Sequence, residues 1–138
     1  VYFLGSLSSA MMGRLMQRFG RRFVIRATIS AMAGGALLTL PDSIISIVTG
    51  VALFTCGFFG VHSIASGWVS RRATSYRAQA SSLYLFSYYL GSSISGTLGG
   101  YFWSSYTWPG VAAKICLLLL ASFGCTEQLS RRYAGYTT

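Results

Sequence analysis

The feature that most constrains this chain is the alternation of long uncharged runs with short clusters of arginine. From Ser43 to Gly67 the only ionisable side chains besides Cys56 are those of His62, and from Ala80 to Trp103 no residue carries a formal charge. A helix rising about 1.5 Å per residue needs about 20 apolar residues to cross a hydrocarbon layer of about 30 Å. These two runs meet that length. Phe23 to Leu40 approaches it, with Arg26 able to snorkel at one end and Pro41-Asp42 closing the other. Gly110 to Thr126 does so as well, with four consecutive leucines at 117 to 120 and with Lys114 near its start, where it is expected to snorkel to the outer interface. Val1 to Met12 is apolar but too short to span, and reads as the end of a helix that begins upstream. Lipid offers backbone amides no water, so each span is expected to be a helix.

Charge placement fixes which ends lie together. Of 138 residues, 53% are hydrophobic and 9% charged, with eleven Lys or Arg against two acids. Soluble domains carry about 25% charged residues, so this composition cannot clothe a water-facing surface. A net charge of +9 suggests a polyanionic partner, nucleic acid or membrane. Nucleic acid requires a continuous basic face along a phosphate track. Here the cations fall instead into Arg14, Arg18, Arg21, Arg22 and Arg26, then Arg71, Arg72 and Arg77, then Arg131 and Arg132, with Lys114 apart. Four spans after a half-span put residues 13–22, 68–79 and the tail from 130 on one side. The turns at Pro41-Asp42 and Ser104 to Pro109 have no Lys or Arg. The positive-inside rule makes the arginine side cytoplasmic, the C-terminus included, and Trp68, Trp103, Tyr106 and Trp108 supply interfacial aromatics.

The first basic segment reads Gly13-Arg14-Leu15-Met16-Gln17-Arg18-Phe19-Gly20-Arg21-Arg22. It resembles the G-x-x-x-D-R-x-G-R-R loop joining the second and third helices of each half of major facilitator superfamily transporters, with Gln17 where the family often has Asp. Phe59 to Trp68, continued by Gln79 to Ser93, is similar to helices ten and eleven of that superfamily and, more narrowly, of its drug and sugar efflux permeases. The resemblance implies an all-α, polytopic membrane helix bundle, the partial C-terminal half of a major facilitator fold. Residues 1–12 would be the end of helix eight, with helix nine at 23–40, helix ten at 43–67, helix eleven at 80–103 and helix twelve at 110–129. It also implies that Gly13, Arg14, Arg18, Gly20, Arg21 and Arg22 form a cytoplasmic gate loop. Without it, the same residues read as an orientation-setting basic loop.

Within the spans, His62 is the only histidine, with Thr55, Phe59 and Ser66 on about the same helical face. An ionisable side chain in a span is a functional candidate, and imidazole exchanges protons near neutral pH. Ser81, Tyr84, Tyr88, Ser92 and Ser95 recur at steps of three or four and align hydroxyls along one side of their helix. His62, Ser66, Tyr84, Tyr88 and Ser92 are therefore candidates to line a polar pathway, or to bond neighbouring helices. Ser92, Gly96 and Gly100 share a face that Gly91 and Gly99 broaden, a small-residue surface suited to close helix packing.

No metal or cofactor site is expected. Cys56, Cys116 and Cys125 sit in apolar runs without metal-ligand spacing. Paired carboxylates, a nucleophile with its base, and a phosphate-binding glycine loop are all lacking, so an enzyme is not expected. Glu127, four residues before Arg131, suits a surface helix pair. The resemblance implies secondary active transport of a small organic molecule across a bacterial inner membrane by alternating access, as proton-coupled efflux. The partners would be that substrate, the lipid bilayer and the missing N-terminal half of the same transporter. With no carboxylate in any span, an acidic proton carrier would have to lie in that half. The contrasting reading is a non-transport membrane scaffold or assembly protein whose basic loops bind anionic lipid.

Overall fold

The computed structural model describes residues 2–134, and the side chains of residues 11–129. Among these it is entirely helical: α1 (Tyr2–Phe19), α2 (Arg21–Leu38), α3 (Ile44–Arg72) and α4 (Arg77–Ala134). Helix α4 doubles back at Thr107, whose φ of 55° and ψ of −153° are non-helical. We treat its two limbs, residues 77–106 and 108–134, separately.

Contacts between helices give the order of the bundle. Thr28 and Met32 of α2 meet Gly57 of α3, while Leu38 and Thr39 meet Gly50, so α2 and α3 run antiparallel. Met12 of α1 lies on Gly60, and a cavity lined by Met16, Gln17, Ile64, Trp68 and Arg71 continues that contact, so α1 and α3 run parallel. His62 meets Tyr84 and Phe58 meets Tyr88, which sets the first limb of α4 antiparallel to α3. Ser95 meets Lys114 across the hairpin. The second limb then descends along α2, with Trp108 at Thr39 and Glu127 at Arg26.

Arg21, Trp68 and Leu129 consequently line one cavity at a single end of the bundle, and Thr39 and Trp108 join at the other. This is the alternation that charge placement implies. The Arg131 and Arg132 side chains and residues 135–138 lie outside the described residues.

The helices outrun the apolar segments in several places. Helix α1 continues to Phe19, so the connection read at 13–22 contracts to Gly20, with Gly13, Arg14 and Arg18 on α1 and Arg21 and Arg22 opening α2. Gly20 has φ of 79°, a conformation that favours glycine. Helix α3 likewise runs to Arg72, beyond residue 67, leaving only residues 73–76 between helices. Hydropathy marks where a chain leaves lipid. A helix stops only where its backbone is interrupted, and arginine does not interrupt it. At the far end the turn read at 104–109 contracts to Thr107. Pro109 follows as an early helical residue, where its missing N–H is harmless. Gly110 leaves room for Tyr106, against which a Cβ would collide.

Burial is sparse and follows small residues. Ile29, Met32 and Leu119 form the core cluster, with Phe54, Phe58, Val61 and Ile115 packed around it. Gly35 and Gly50 let the α2 and α3 backbones touch: a Cβ on Gly35 would lie 2.7 Å from the Gly50 oxygen. The exposed surface is apolar, with Ile44 and Ile45 74% and 76% exposed and Leu83, Phe86, Leu117 and Leu120 also outward. Such a surface is at home in lipid. Helix α3 and the span from Arg77 to Leu129 contain windows of mean hydropathy 2.2 and 1.6, long and apolar enough to cross a membrane.

Candidate functional site

Between the two ends, and nearer the arginine end, α3 and the first limb of α4 bring together two of the residue lines singled out in the sequence. His62 lies ten residues, about 15 Å, from the Arg72 end of α3. Its Nδ1 is 3.0 Å from the Tyr84 hydroxyl, and the Tyr84 hydroxyl also approaches the His62 carbonyl at 3.5 Å. The Tyr88 ring lies 4.9 Å from the imidazole at 55°. Phe58, one turn before His62, stacks on it at 5.9 Å and 18°, and reaches Tyr88 at 6.2 Å.

The arrangement follows from helical spacing. Positions 58 and 62 share a face of α3, and positions 84 and 88 share a face of α4. Which partner donates depends on the imidazole tautomer: a bare Nδ1 accepts from the Tyr84 hydroxyl, a protonated one donates to it, and the remaining ring nitrogen then donates or accepts toward a polar molecule alongside. Ser66 does not join the group, because its hydroxyl donates to the Ser63 carbonyl at 3.2 Å. Ser92 is exposed and lies beyond the aromatic contacts. Phe58 belongs to the group and is missed by a reading that selects polar side chains; its signal was its position one turn from His62.

At the basic end the arginines divide by role. The Arg21 guanidinium sits 4.8 Å from the centre of the Trp68 ring, and that of Arg72 sits 5.4 Å from it. Arg26 Nε donates to Glu127 Oε1 at 2.5 Å, joining α2 to the second limb of α4. Glu127 therefore has a partner on another helix, besides the one four residues ahead that its sequence position suggests. Arg26 is about half exposed, which limits the pair to about 1 kcal/mol or less. Its use is to fix a geometry. Arg14 and Arg18 are exposed on α1, with Arg18 over the Phe19 ring at 5.4 Å. Between these groups lies a mostly apolar cavity of about 180 Å³, bordered by Arg21, Arg22, Ile64, Trp68, Thr126 and Leu129.

The far end is closed by a neutral contact. Trp108 Nε1 donates to the Thr39 hydroxyl at 2.9 Å and to its carbonyl at 3.1 Å. Thr39 in turn donates to the Ala36 carbonyl at 2.6 Å.

One reading from the sequence needs correction. Lys114 does not snorkel: it is 9% exposed, and its ammonium donates to the Ser95 carbonyl across the α4 hairpin. It lies six residues, about 9 Å, past Trp108, at a depth where an unpaired charge costs up to about 3 kcal/mol to insert. The small-residue face of Gly91, Gly96, Gly99 and Gly100 is left open within this chain. A Cβ on Gly91, Gly96 or Gly100 would meet nothing within 4 Å, and one on Gly99 would meet only the Lys114 ammonium at 3.4 Å. Close helix packing falls instead to Gly35, Gly50, Gly57 and Gly60. No group of three or more potential metal ligands occurs among the described residues.

The chain matches no family model, and no solved structure matches it. Among curated proteins it is 46% identical over 131 residues to the uncharacterized MFS-type transporter YybF of Bacillus subtilis, an alignment covering 95% of this chain and 32% of that protein. It is 48% identical over 131 residues to the inner membrane transport protein YnfM of Escherichia coli, covering 95% of this chain and 31% of that one. An uncharacterized transporter of Buchnera aphidicola is 42% identical over 120 residues, covering 87% and 29%. The chain thus spans about a third of the length of the curated relatives it matches.

Proposed function

The chain belongs to the major facilitator superfamily, and on that footing we propose that it serves as the partial C-terminal half of a secondary transporter moving a small organic molecule by alternating access. In this reading α1 is the end of helix eight, α2 is helix nine, α3 is helix ten, and the limbs of α4 are helices eleven and twelve. The membrane is a bacterial inner membrane and the arginine end faces the cytoplasm. An N-terminal half of the same protein supplies the other wall of the pathway, against the small-residue face of Gly91, Ser92, Gly96 and Gly100.

The observation that carries the proposal is the polar aromatic group of His62, Tyr84 and Tyr88 lying between two ends closed by different chemistry. Alternating access needs a site near the middle of the membrane and ends that can open separately. Arg14 and Arg18, outward on α1, are placed to meet the other half at the cytoplasmic gate. Arg21 and Arg26 hold this half together. Export driven by proton entry is the specific form we favour, with the His62 imidazole as the side chain of the group suited to proton exchange. A membrane scaffold with lipid-binding basic loops accounts for the arginines, but gives the half-buried His62–Tyr84 pair no task. The names of the relatives weigh against it.

The test is flux in liposomes carrying the full-length protein. His62→Ala and Tyr84→Phe should raise the KM for a transported molecule by about tenfold or less, as loss of one hydrogen bond worth about 1 kcal/mol requires. Arg18→Ala should lower turnover while leaving the order of substrate preference unchanged. Unchanged KM in both His62→Ala and Tyr84→Phe would remove the group from the pathway. Absence of any saturable flux from the correctly inserted protein would favour the scaffold.

A further inference from the structure

Lys114 is a buried cation that no described residue neutralises. It donates to an uncharged group, the Ser95 carbonyl, and makes no ion pair with another described residue. The chain has only two acids. Glu127 is thirteen residues further along the same limb, about 20 Å away, and pairs with Arg26. Asp42 is exposed at the turn after α2. An ammonium has three donors, and one carbonyl satisfies one of them.

The surroundings are shaped to leave the charge approachable. Gly99 lies beneath the ammonium, where a Cβ would sit 3.4 Å from Nζ, while Gly96 and Gly100 on the neighbouring turns present open space. A lysine with nothing to pair with would ordinarily turn its flexible stem toward the nearest interface. This one, about 9 Å from the far turn, is instead folded inward across the hairpin onto the small-residue surface.

We propose that Lys114 is the cationic half of a carboxylate-binding site on the Gly96, Gly99 and Gly100 surface of α4. The carboxylate belongs either to an organic anion in the pathway or to an acidic side chain of the rest of the transporter. The first source rests on the transport reading above, whereas the second requires only that the chain works within a longer protein. The chemistry is the same: a carboxylate oxygen accepts the ammonium donors that Ser95 leaves over.

The experiment reads thermal unfolding of the full-length protein in detergent, so its outcome does not depend on measuring transport. Lys114→Met and Lys114→Arg are compared with the unmodified protein at pH 7 and pH 4, with and without benzoate, using benzyl alcohol as the neutral control. If the source is an organic anion, benzoate raises the Tm of the unmodified and Arg proteins at pH 7 by about 3 °C and leaves the Met protein unmoved. If the source is a protein carboxylate, benzoate does nothing, but Lys114→Met lowers the Tm at pH 7 and Lys114→Arg restores it. That gap then closes at pH 4, where the orphaned carboxylate takes up a proton and no longer needs a cation. A Lys114→Met protein that is as stable as the unmodified one at pH 7 and blind to benzoate in both forms overturns the proposal. So does a stability gap of equal size at pH 4 and pH 7 without a benzoate effect, which marks lost packing alone.

Discussion

Gly50→Leu should destabilise the protein by at least about 3 kcal/mol, the largest effect expected of any single substitution in this chain. A Cβ at Gly50 would already lie 2.6 Å from the Gly35 oxygen, 2.9 Å from the Thr39 methyl and 3.1 Å from the Leu38 Cβ. The first of these is backbone and cannot rotate away, so α2 and α3 must separate. Inserting side-chain volume into a packed contact typically costs about 1–3 kcal/mol when neighbours can shift, and here the nearest cannot. In lipid the loss is not recovered elsewhere, because close packing supplies much of the association energy between helices. Gly35→Leu should behave alike, since its Cβ would meet the Gly50 oxygen and, at 2.8 Å, the Phe54 nitrogen. Gly34→Leu is the control: one residue away on the same helix, it meets nothing within 4 Å. Thermal unfolding in detergent compares the three. Equal loss in Gly34→Leu and Gly50→Leu would show that the glycine contact between α2 and α3 does not hold the bundle.

Trp68→Ala should also be damaging, and its effect should appear in turnover as well as in stability. The indole is flanked by two guanidinia, Arg21 at 4.8 Å and Arg72 at 5.4 Å, and lines the cavity bordered by Ile64, Thr126 and Leu129. Full burial makes Trp→Ala worth about 3–5 kcal/mol. Trp68 is only partly buried, so about 2 kcal/mol is the reasonable magnitude. Each cation–π contact contributes about 0.5–1 kcal/mol at such a site. Arg21→Ala alone should thus cost about 1 kcal/mol, and much less in a Trp68→Ala background, because both remove the same contact. A shift of about 1.4 kcal/mol between inward- and outward-open states is tenfold in population. Trp68→Ala should slow turnover accordingly while Trp68→Phe retains part of it. Strictly additive losses in the double variant would mean that Arg21 and Trp68 act separately.

The layout of the fold was legible from residues that lipid constrains strongly. Uncharged runs at 43–67 and 80–103 allow nothing but helices, and arginines at 14–26 and 71–77 have one side on which to gather. The ends of the helices were less so. Arg14 and Arg18 mark the exit from the bilayer, but α1 continues through them to Phe19 because only Gly20 interrupts its backbone. The candidate site was half legible: His62 and Tyr84 each declare themselves as polar groups in a span. That they meet depends on how α3 turns against α4, and this is set by Phe58 packing on Tyr88; Tyr88 belongs to the hydroxyl line, whereas Phe58 looks like ordinary apolar packing. Lys114 shows the limit most clearly. Its depth permits either snorkelling or burial, and the absence of a side chain at Gly99, on the other limb, is what leaves space for the second. Periodicity marks Gly91, Gly96, Gly99 and Gly100 as a small-residue face, but it does not say which helix approaches that face. Within this chain the glycines that touch are those of α2 and α3.

Opposed movement of the two ends is the property that distinguishes a transporter from any other helical bundle, and thiol accessibility reads it directly. The full-length protein is prepared with Cys56, Cys116 and Cys125 replaced by Ser, and single cysteines are placed at Ser66 and at Gly100. Ser66 is one turn from His62 toward the arginine end; Gly100 lies six residues, about 9 Å, inside the far end and has open space around it. Membrane-impermeant thiol reagent is applied to oriented vesicles with and without Arg21→Ala, which loosens the arginine end. Alternating access predicts that Arg21→Ala speeds labelling of Ser66→Cys from the arginine side several-fold and slows labelling of Gly100→Cys from the opposite side. Labelling of the two positions that rises together, or that does not respond at all in a correctly inserted protein, would contradict it.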